Sequence, residues 1–496
     1  MKNQKSIKLE NVKLIAIPLL CMVVLVFPLI LREINGEPLA EDISYYHTRI
    51  AQQISDKLWL PKEDNYLYGG RMMPLIPGLA TFLAVPNLIF NIPINTFSKI
   101  LPILIGVFSF LIFFMLLQEF KVDKRLTDIS LFLLVISPPF IYTFTTLNDH
   151  IIPVFLILLS SLLYLRNKKF FSLMTFLLIP LFSIPDAFIG LFFFFIYLLS
   201  TKKKLKPFFF MLLLVSIISL VQYLPMILSY GLPELLDFKV SEKGVNFAFQ
   251  NFISDFGGKF GVSLFSILLG ISGLFVVWKK KYKNLLIYTL FIVLIVLSFY
   301  LTWLIVYLNF LLIVLASVGL IYLMKKKWES RLIKNFIILI FVFGLIFSGI
   351  SHINRISKMP PSKLVFDSLN NLRLEPEGVV LSHYSNGFWI SGIANKPVVM
   401  DRHFIYMPNV NQRNRDLQDI FYSINVEDIT KLLDKYNINY IWIDKEMKEG
   451  QVWSREDDGL LFLLNYNPKI LGIRYRKFEK IYSNEETEIW RVKENF

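Results

Sequence analysis

The sequence predicts a polytopic α-helical membrane protein with a C-terminal extracytoplasmic α/β domain, and three observations predict it. The 496 residues are 55% hydrophobic and 16% aromatic but only 18% charged, with a mean hydropathy of +0.54; average soluble domains carry about 25% charge. Apolar runs such as 208–228 and 285–324 are long enough to cross a bilayer. The formal net charge of +14 arises wholly in the first 350 residues, which hold 32 Lys and Arg against 18 Asp and Glu, while the remainder holds 20 of each. A basic excess in the loops of a membrane part follows the positive-inside rule and needs no nucleic acid to explain it.

The N-terminal stretch carries Lys2, Lys5, Lys8 and Lys13 ahead of an apolar run over 14–31. It reads as an uncleaved signal anchor with a cytoplasmic N-terminus. The single cysteine, Cys21, lies in that run, so neither an intrachain disulfide nor a cysteine-based metal site can form. Basic clusters then punctuate the apolar runs at Lys121/Lys124/Arg125, Arg166/Lys168/Lys169, Lys202 to Lys206, Lys279 to Lys283 and Lys325 to Lys334. If each cluster marks the cytoplasmic side, helices come in pairs between them. The expected spans are 14–31, 98–118, 127–146, 151–165, 170–184, 187–201, 207–229, 260–278, 285–300, 302–324 and 332–350, about eleven helices with the C-terminus outside. The cytoplasmic segments of that scheme carry 23 Lys and Arg and the outside loops 9, which is the bias that sets orientation. Residues 72–94 are apolar too, but a crossing there would invert every later cluster, and Pro74, Pro77, Pro86 and Pro93 oppose a straight span. They are expected to form a helix lying in or dipping into the outer interface, within a first outside loop over 32–97. Residues 1–350 then form the membrane domain and 351–496 the soluble one. In the latter, short β-branched runs at 378–382, 397–400 and 440–444 alternate with helical patterns such as 426–436.

All five histidines fall on the outer face under this topology, as do the acidic clusters near membrane ends. Glu41-Asp42 with Tyr45, Tyr46, His47 and Arg49 follows the first helix. Two carboxylates, an imidazole and a guanidinium beside a membrane suit a general base or metal ligand next to a lipid-borne substrate; an exposed loop and interfacial helix would account for them equally. Asn148-Asp149-His150 forms a tip between two helices, where Asn and Asp also serve local capping. Tyr66-Leu-Tyr68-Gly69-Gly70-Arg71 reads first as a turn, with an arginine able to hold a phosphate. His383-Tyr384-Ser385-Asn386-Gly387, followed by Asp401-Arg402-His403, reads as a strand-to-helix turn carrying substrate-binding groups.

The order of these motifs resembles the GT-C glycosyltransferase superfamily, and within it the catalytic subunit of oligosaccharyltransferase and its archaeal relatives. The family's Asp after the first helix, with following aromatics and Arg, looks like Asp42, Tyr45, Tyr46 and Arg49. Its Tyr-Pro-x-Gly-Arg and Tyr-Pro-Gly stretch looks like Tyr68-Gly69-Gly70-Arg71 and Ile76-Pro77-Gly78. Its Asp-Asn-Glu tip is matched in place by Asn148-Asp149-His150, and its Trp-Trp-Asp-Tyr-Gly motif by His383 to Gly387. The departures carry meaning. The tip keeps one carboxylate, Asp149, beside His150 where the family supplies two, and hard cations prefer oxygen ligands. Ser385 stands where the family's Asp helps read the acceptor sequon, so sequon recognition is not implied. Where the family tends to carry an arginine in a late helix, this chain has Tyr307-Leu-Asn309.

What the resemblance implies is transfer of a sugar from a polyprenyl-phosphate or polyprenyl-pyrophosphate glycolipid to a protein or glycan acceptor on the extracytoplasmic face of a cell membrane. Asp42 is the expected catalytic carboxylate. Asp42, Asp149, His150 and Glu242 are the expected ligands of a divalent metal, manganese or magnesium. Glu41, His47, Arg49, Arg71, His383, Ser385, Asn386, Asp401, Arg402 and His403 are the expected substrate-binding residues. The alternative is a catalytically degenerate paralogue that binds glycolipid or scaffolds a glycosylation complex. A transporter fits less well, because few ionisable residues lie inside the helices, Asp186 being the nearest.

Overall fold

The computed structural model describes residues 2–37, 39–236, 245–278, 285–404, 407–453, 455, 458–465 and 477–493. Along the chain run α1 (Lys2–Ile34), α2 (Asp42–Lys57), α3 (Gly78–Phe90), α4 (Ile94–Glu119), α5 (Lys124–Val135), α6 (Pro138–Thr145), α7 (Ile151–Leu165) and α8 (Lys169–Leu177). Next come α9 (Ile184–Ser200), α10 (Lys206–Leu236), α11 (Val245–Phe252), α12 (Leu264–Trp278), α13 (Leu285–Tyr300), α14 (Ile305–Lys325), α15 (Arg331–Ser357) and α16 (Lys363–Leu374). The C-terminal part adds β1 (Val379–Leu381), α17 (Gly387–Trp389), α18 (Val410–Tyr422), α19 (Val426–Lys435), β2 (Ile438–Asp444), α20 (Gly459–Asn465), β3 (Phe478–Ser483) and β4 (Thr487–Val492). These divide into two compact units: unit one over 1–34, 96–220 and 241–358, and unit two over 35–95, 221–240 and 359–496.

Unit one is helical. Each apolar interval expected from the sequence carries helix. Five described helices are long and apolar enough to cross a membrane: Ala16–Ile34, Ile94–Glu119, Lys206–Tyr230, Thr302–Lys325 and Arg331–Ser357. The pair α5 and α6, bent by 57°, reaches that length only when taken together, as a broken span or a re-entrant loop, and the other intervals hold shorter apolar helices. The bend follows from Pro138 and Pro139, which open α6 and cannot continue α5. α12 and α14 approach backbone to backbone: a Cβ on Gly273 would lie 1.9 Å from the Leu315 carbonyl oxygen, so only glycine fits. At the end of α1, Arg32 donates to the carbonyls of Ile356 (3.2 Å) and Ser357 (3.3 Å), the last carbonyls of α15.

Unit two is an α/β body. Its sheet has the order β1-β2-β4-β3, with β1 parallel to β2 and the other pairs antiparallel. Trp442, Ile441, Trp453 and Leu369 centre its core. The strand expected at 397–400 is reduced to bridges, Val398 pairing with both Val380 and Leu67. Tyr68 N–H donates to Val398 O and Val398 N–H to Tyr66 O, both at 2.9 Å, and Tyr45 and Leu67 enter the core of this unit. The first loop, 35–95, thus belongs to the same compact unit as 359–496. Of 72–94, residues 78–90 form α3, a 13-residue helix.

Candidate functional site

In unit two, α2 places the site residues. Asp42, Tyr45, Tyr46 and Arg49 recur at helical spacing and all are buried. Asp42 is the first helical residue, where a carboxylate interacts favourably with the helix N-terminus. One of its oxygens receives Arg402 Nη1 at 3.0 Å; the Asp42 side chain is 4% exposed and that of Arg402 44%. Glu41, just before it, sits at φ 67° and ψ 148°, a region that L-residues occupy at a cost of about 1–3 kcal/mol and that clusters at functional sites. Its N–H is tied to Pro360 O at 3.1 Å. The ring of Tyr46 packs against His403 (4.6 Å), Phe388 (5.0 Å) and His47 (5.2 Å).

Behind this face runs a buried ion ladder. Arg49 grips Asp64 with both terminal nitrogens, at 2.6 and 2.9 Å; Arg71 bridges Asp64 (2.8 Å) and Asp401 (2.8 Å). Burial alone would raise the Asp64 carboxyl, but its two arginines outweigh that and hold it well below the usual carboxylate range. Arg71 is fully buried with both terminal nitrogens engaged. Both of its terminal nitrogens are thus held by carboxylates of the same unit. Arg49 is likewise committed to Asp64, and its guanidinium lies 4.6 Å from the Tyr66 ring centre. The exposed cation of the group is Arg402.

The His383 turn forms a third group of unit two. His383 Nδ1 and Ser385 Oγ are 2.7 Å apart, and Gln451 Nε2 donates to the same hydroxyl at 2.9 Å. Asn386 donates to Ser382 Oγ at 3.2 Å. A Cβ on Gly387 would lie 2.6 Å from Asp401 Cβ, so this glycine lets the turn pack on the Asp401 segment. Burial pushes the neighbouring Asp444 carboxyl up to about 6. Neither Asp444 nor Gln451 was legible in the motif, since both come from the far end of β2 and beyond.

In unit one, His150 is fixed by a partner the motif does not contain. Its Nδ1 lies 2.8 Å from Asp186 Oδ2, Tyr307 donates to Asp186 Oδ1 at 2.7 Å, and the Trp303 ring stacks on the imidazole at 4.8 Å. Burial opposes a charge on His150, but Asp186 and Asp149 overcome it and raise its pKa. A carboxylate on Nδ1 orients Nε2, as it does in metal-ligating histidines. Of the other expected metal ligands, Asp149 lies beside His150 in unit one, Asp42 starts α2 in unit two, and Glu242 lies outside the described residues. Among the described residues no three His, Cys, Asp or Glu group as a metal site.

No family model matches the sequence, and no curated protein matches it. Solved structures do match. The chain is similar to the archaeal oligosaccharyltransferase AglB from Archaeoglobus fulgidus in complex with an inhibitory peptide and a dolichol-phosphate, with a TM-score of 0.60 at 13% identity over 88% of this chain and 70% of that one. A complex of the Archaeoglobus fulgidus oligosaccharyltransferase with zinc and sulfate gives 0.59 at 14% identity, covering 90% and 71%. ArnT from Cupriavidus metallidurans, bound to undecaprenyl phosphate, gives 0.54 at 12% identity, covering 95% of this chain and 97% of that one. The fold is GT-C-like, in keeping with the resemblance carried by the motifs.

Proposed function

We propose that the protein is a membrane glycosyltransferase that moves a sugar from a polyprenyl-phosphate donor to an acceptor hydroxyl. The observation that carries this reading is the buried Asp42 carboxylate at the start of α2, paired with a half-exposed arginine, Arg402. The fold it shares with structures bound to dolichol-phosphate and undecaprenyl phosphate supports the donor class. The proposed step uses unit two alone. The acceptor oxygen attacks the anomeric carbon, its proton passes to Asp42, and the bond from that carbon to the phosphate oxygen breaks. The phosphate leaves with its electron pair and its charge is met by Arg402. Tyr46, His403 and Phe388 form an aromatic wall behind the carboxylate, and His47, His383, Ser385 and Asn386 are proposed acceptor contacts.

The test is turnover of polyprenyl-phosphate and polyprenyl-pyrophosphate hexose donors by the purified chain, with and without EDTA. A monophosphate leaving group carries modest charge, so turnover of the monophosphate donor is expected to persist in chelator. Loss in EDTA, restored by manganese, would overturn the arginine-only scheme and assign Asp149 and His150 to a metal. A chain that binds either donor without turning it over would favour the glycolipid-binding alternative.

The outer face as the site of reaction is part of the same proposal. Reporter fusions after Arg125, Lys204 and Lys326 are expected to report cytoplasm, and a fusion after Ser351 the outside. An external report at Arg125 would place an additional crossing before α4 and reverse the scheme.

A further inference from the structure

Unit one contains a cavity of about 510 Å³ whose lining is almost wholly apolar. That volume lies within the range of about 300–1,000 Å³ typical of ligand sites. Its lining includes Val154, Phe193 and Tyr307, and also Phe120, Tyr164 and Tyr197, where α4, α7 and α9 finish. Phe120 is 57% exposed, so the cavity reaches the surface there.

The same helix ends carry the basic clusters, and contacts bring them together. Arg166 at the end of α7 pairs with Glu119 at the end of α4 at 2.7 Å. Lys203 lies over the rings of Tyr164 (5.4 Å) and Tyr197 (5.1 Å), both of which line the cavity, and donates to Tyr197 OH at 3.2 Å. Arg125 at the start of α5 reaches Met324 near the end of α14 at 4.0 Å. An apolar slot therefore opens beneath Lys202, Lys203 and Lys204, all exposed. The volume and apolar lining suit a hydrocarbon chain, and the rim asks for negative charge, each basic side chain near an anionic surface adding to the attraction. Aromatic rings at such a rim suit the headgroup level.

We propose that this cavity binds one anionic membrane phospholipid, its acyl chain in the slot and its phosphate on the lysine cluster. The proposal uses residues of unit one alone, and it stands whether or not the chain transfers sugar.

The experiment uses the full chain in detergent, with phosphatidylglycerol or phosphatidylcholine added and retention read by native mass spectrometry. One tightly held phosphatidylglycerol is expected, with phosphatidylcholine retained about tenfold less or weaker. Combined Lys202→Gln, Lys203→Gln and Lys204→Gln substitution, on the exposed surface, should lower phosphatidylglycerol retention by about tenfold or more while the thermal midpoint without lipid stays unchanged. Ser161→Phe, which fills the slot from α7, should abolish the tight site; far-ultraviolet circular dichroism reports whether that variant remains folded. Equal retention of the two lipids, or phosphatidylglycerol retention that survives the lysine substitutions, would overturn the proposal. So would displacement of phosphatidylglycerol by undecaprenyl phosphate at equal concentration, which would make the cavity the seat of the donor's chain.

Discussion

Asp42→Asn is expected to lower sugar transfer by about 10²–10⁴-fold, the usual contribution of a positioned general base, while the protein still inserts and folds. The substitution keeps the side chain's size and removes its charge and basicity. Structurally the loss is small. Asparagine keeps a side-chain oxygen that can accept from Arg402, and Arg402 is 44% exposed, so water can solvate the charge that loses its carboxylate. The effect should fall on kcat rather than KM, because the carboxylate is needed when the acceptor proton leaves and not when the donor binds. Arg402→Gln should behave differently, weakening donor binding together with turnover, since its charge faces the phosphate before and after the bond breaks. Transfer rates of both variants with a polyprenyl-phosphate hexose check this. If Asp42→Asn keeps most of its activity, Asp42 is not the base and the glycolipid-binding alternative gains.

The membrane unit was legible because a bilayer leaves little freedom. Backbone groups in hydrocarbon must be satisfied within helices, so apolar runs between basic clusters already mark the helices and their ends. The positions of α4, α7, α9 and α14 follow from that rule alone. What escaped was tertiary. The pairing of Tyr66 and Tyr68 with Val398 joins segments more than 300 residues apart, and nothing local in either announces it. Asp64 lies in Lys62-Glu63-Asp64-Asn65, which reads as a solvated loop, yet it is fully buried between two arginines. Asp186 follows Ser183 and Pro185 and reads as an ordinary helix start, which it is, with Ser183 capping α9; its bond to His150 spans 36 residues. Tyr307 marks a region where the resembling family tends to carry an arginine, and here it supplies a hydroxyl to Asp186 instead. The motif residues were found by type and order. Their partners depended on contacts that no local pattern encodes.

Asp64→Asn should be the most destabilising single substitution in unit two, by about 3–5 kcal/mol, because it breaks a buried pair from one side. Asp64 is 0% exposed and takes three guanidinium nitrogens from Arg49 and Arg71. An amide of the same size offers one acceptor oxygen and turns an NH2 toward cations that can only donate. Arg71 would keep Asp401 at 2.8 Å, but Arg49 would be left buried without its carboxylate. The dependence on pH has a definite sign. The folded carboxyl is held below its unfolded value, so its contribution is fully present above about pH 4 and is lost as pH falls toward the folded pKa. The wild type should therefore lose stability from about pH 4 downward, and Asp64→Asn should show a flatter acid limb from a lower starting point. Thermal midpoints across pH 3 to 7, with limited proteolysis of unit two, provide the measurement. Substituting uncharged residues for Asp64, Arg49, Arg71 and Asp401 together should recover much of the loss, since replacing the whole buried network, Arg71's second partner Asp401 included, leaves no orphaned charge. An Asp64→Asn protein as stable as wild type would mean that water reaches the ladder and that the arginines are solvated.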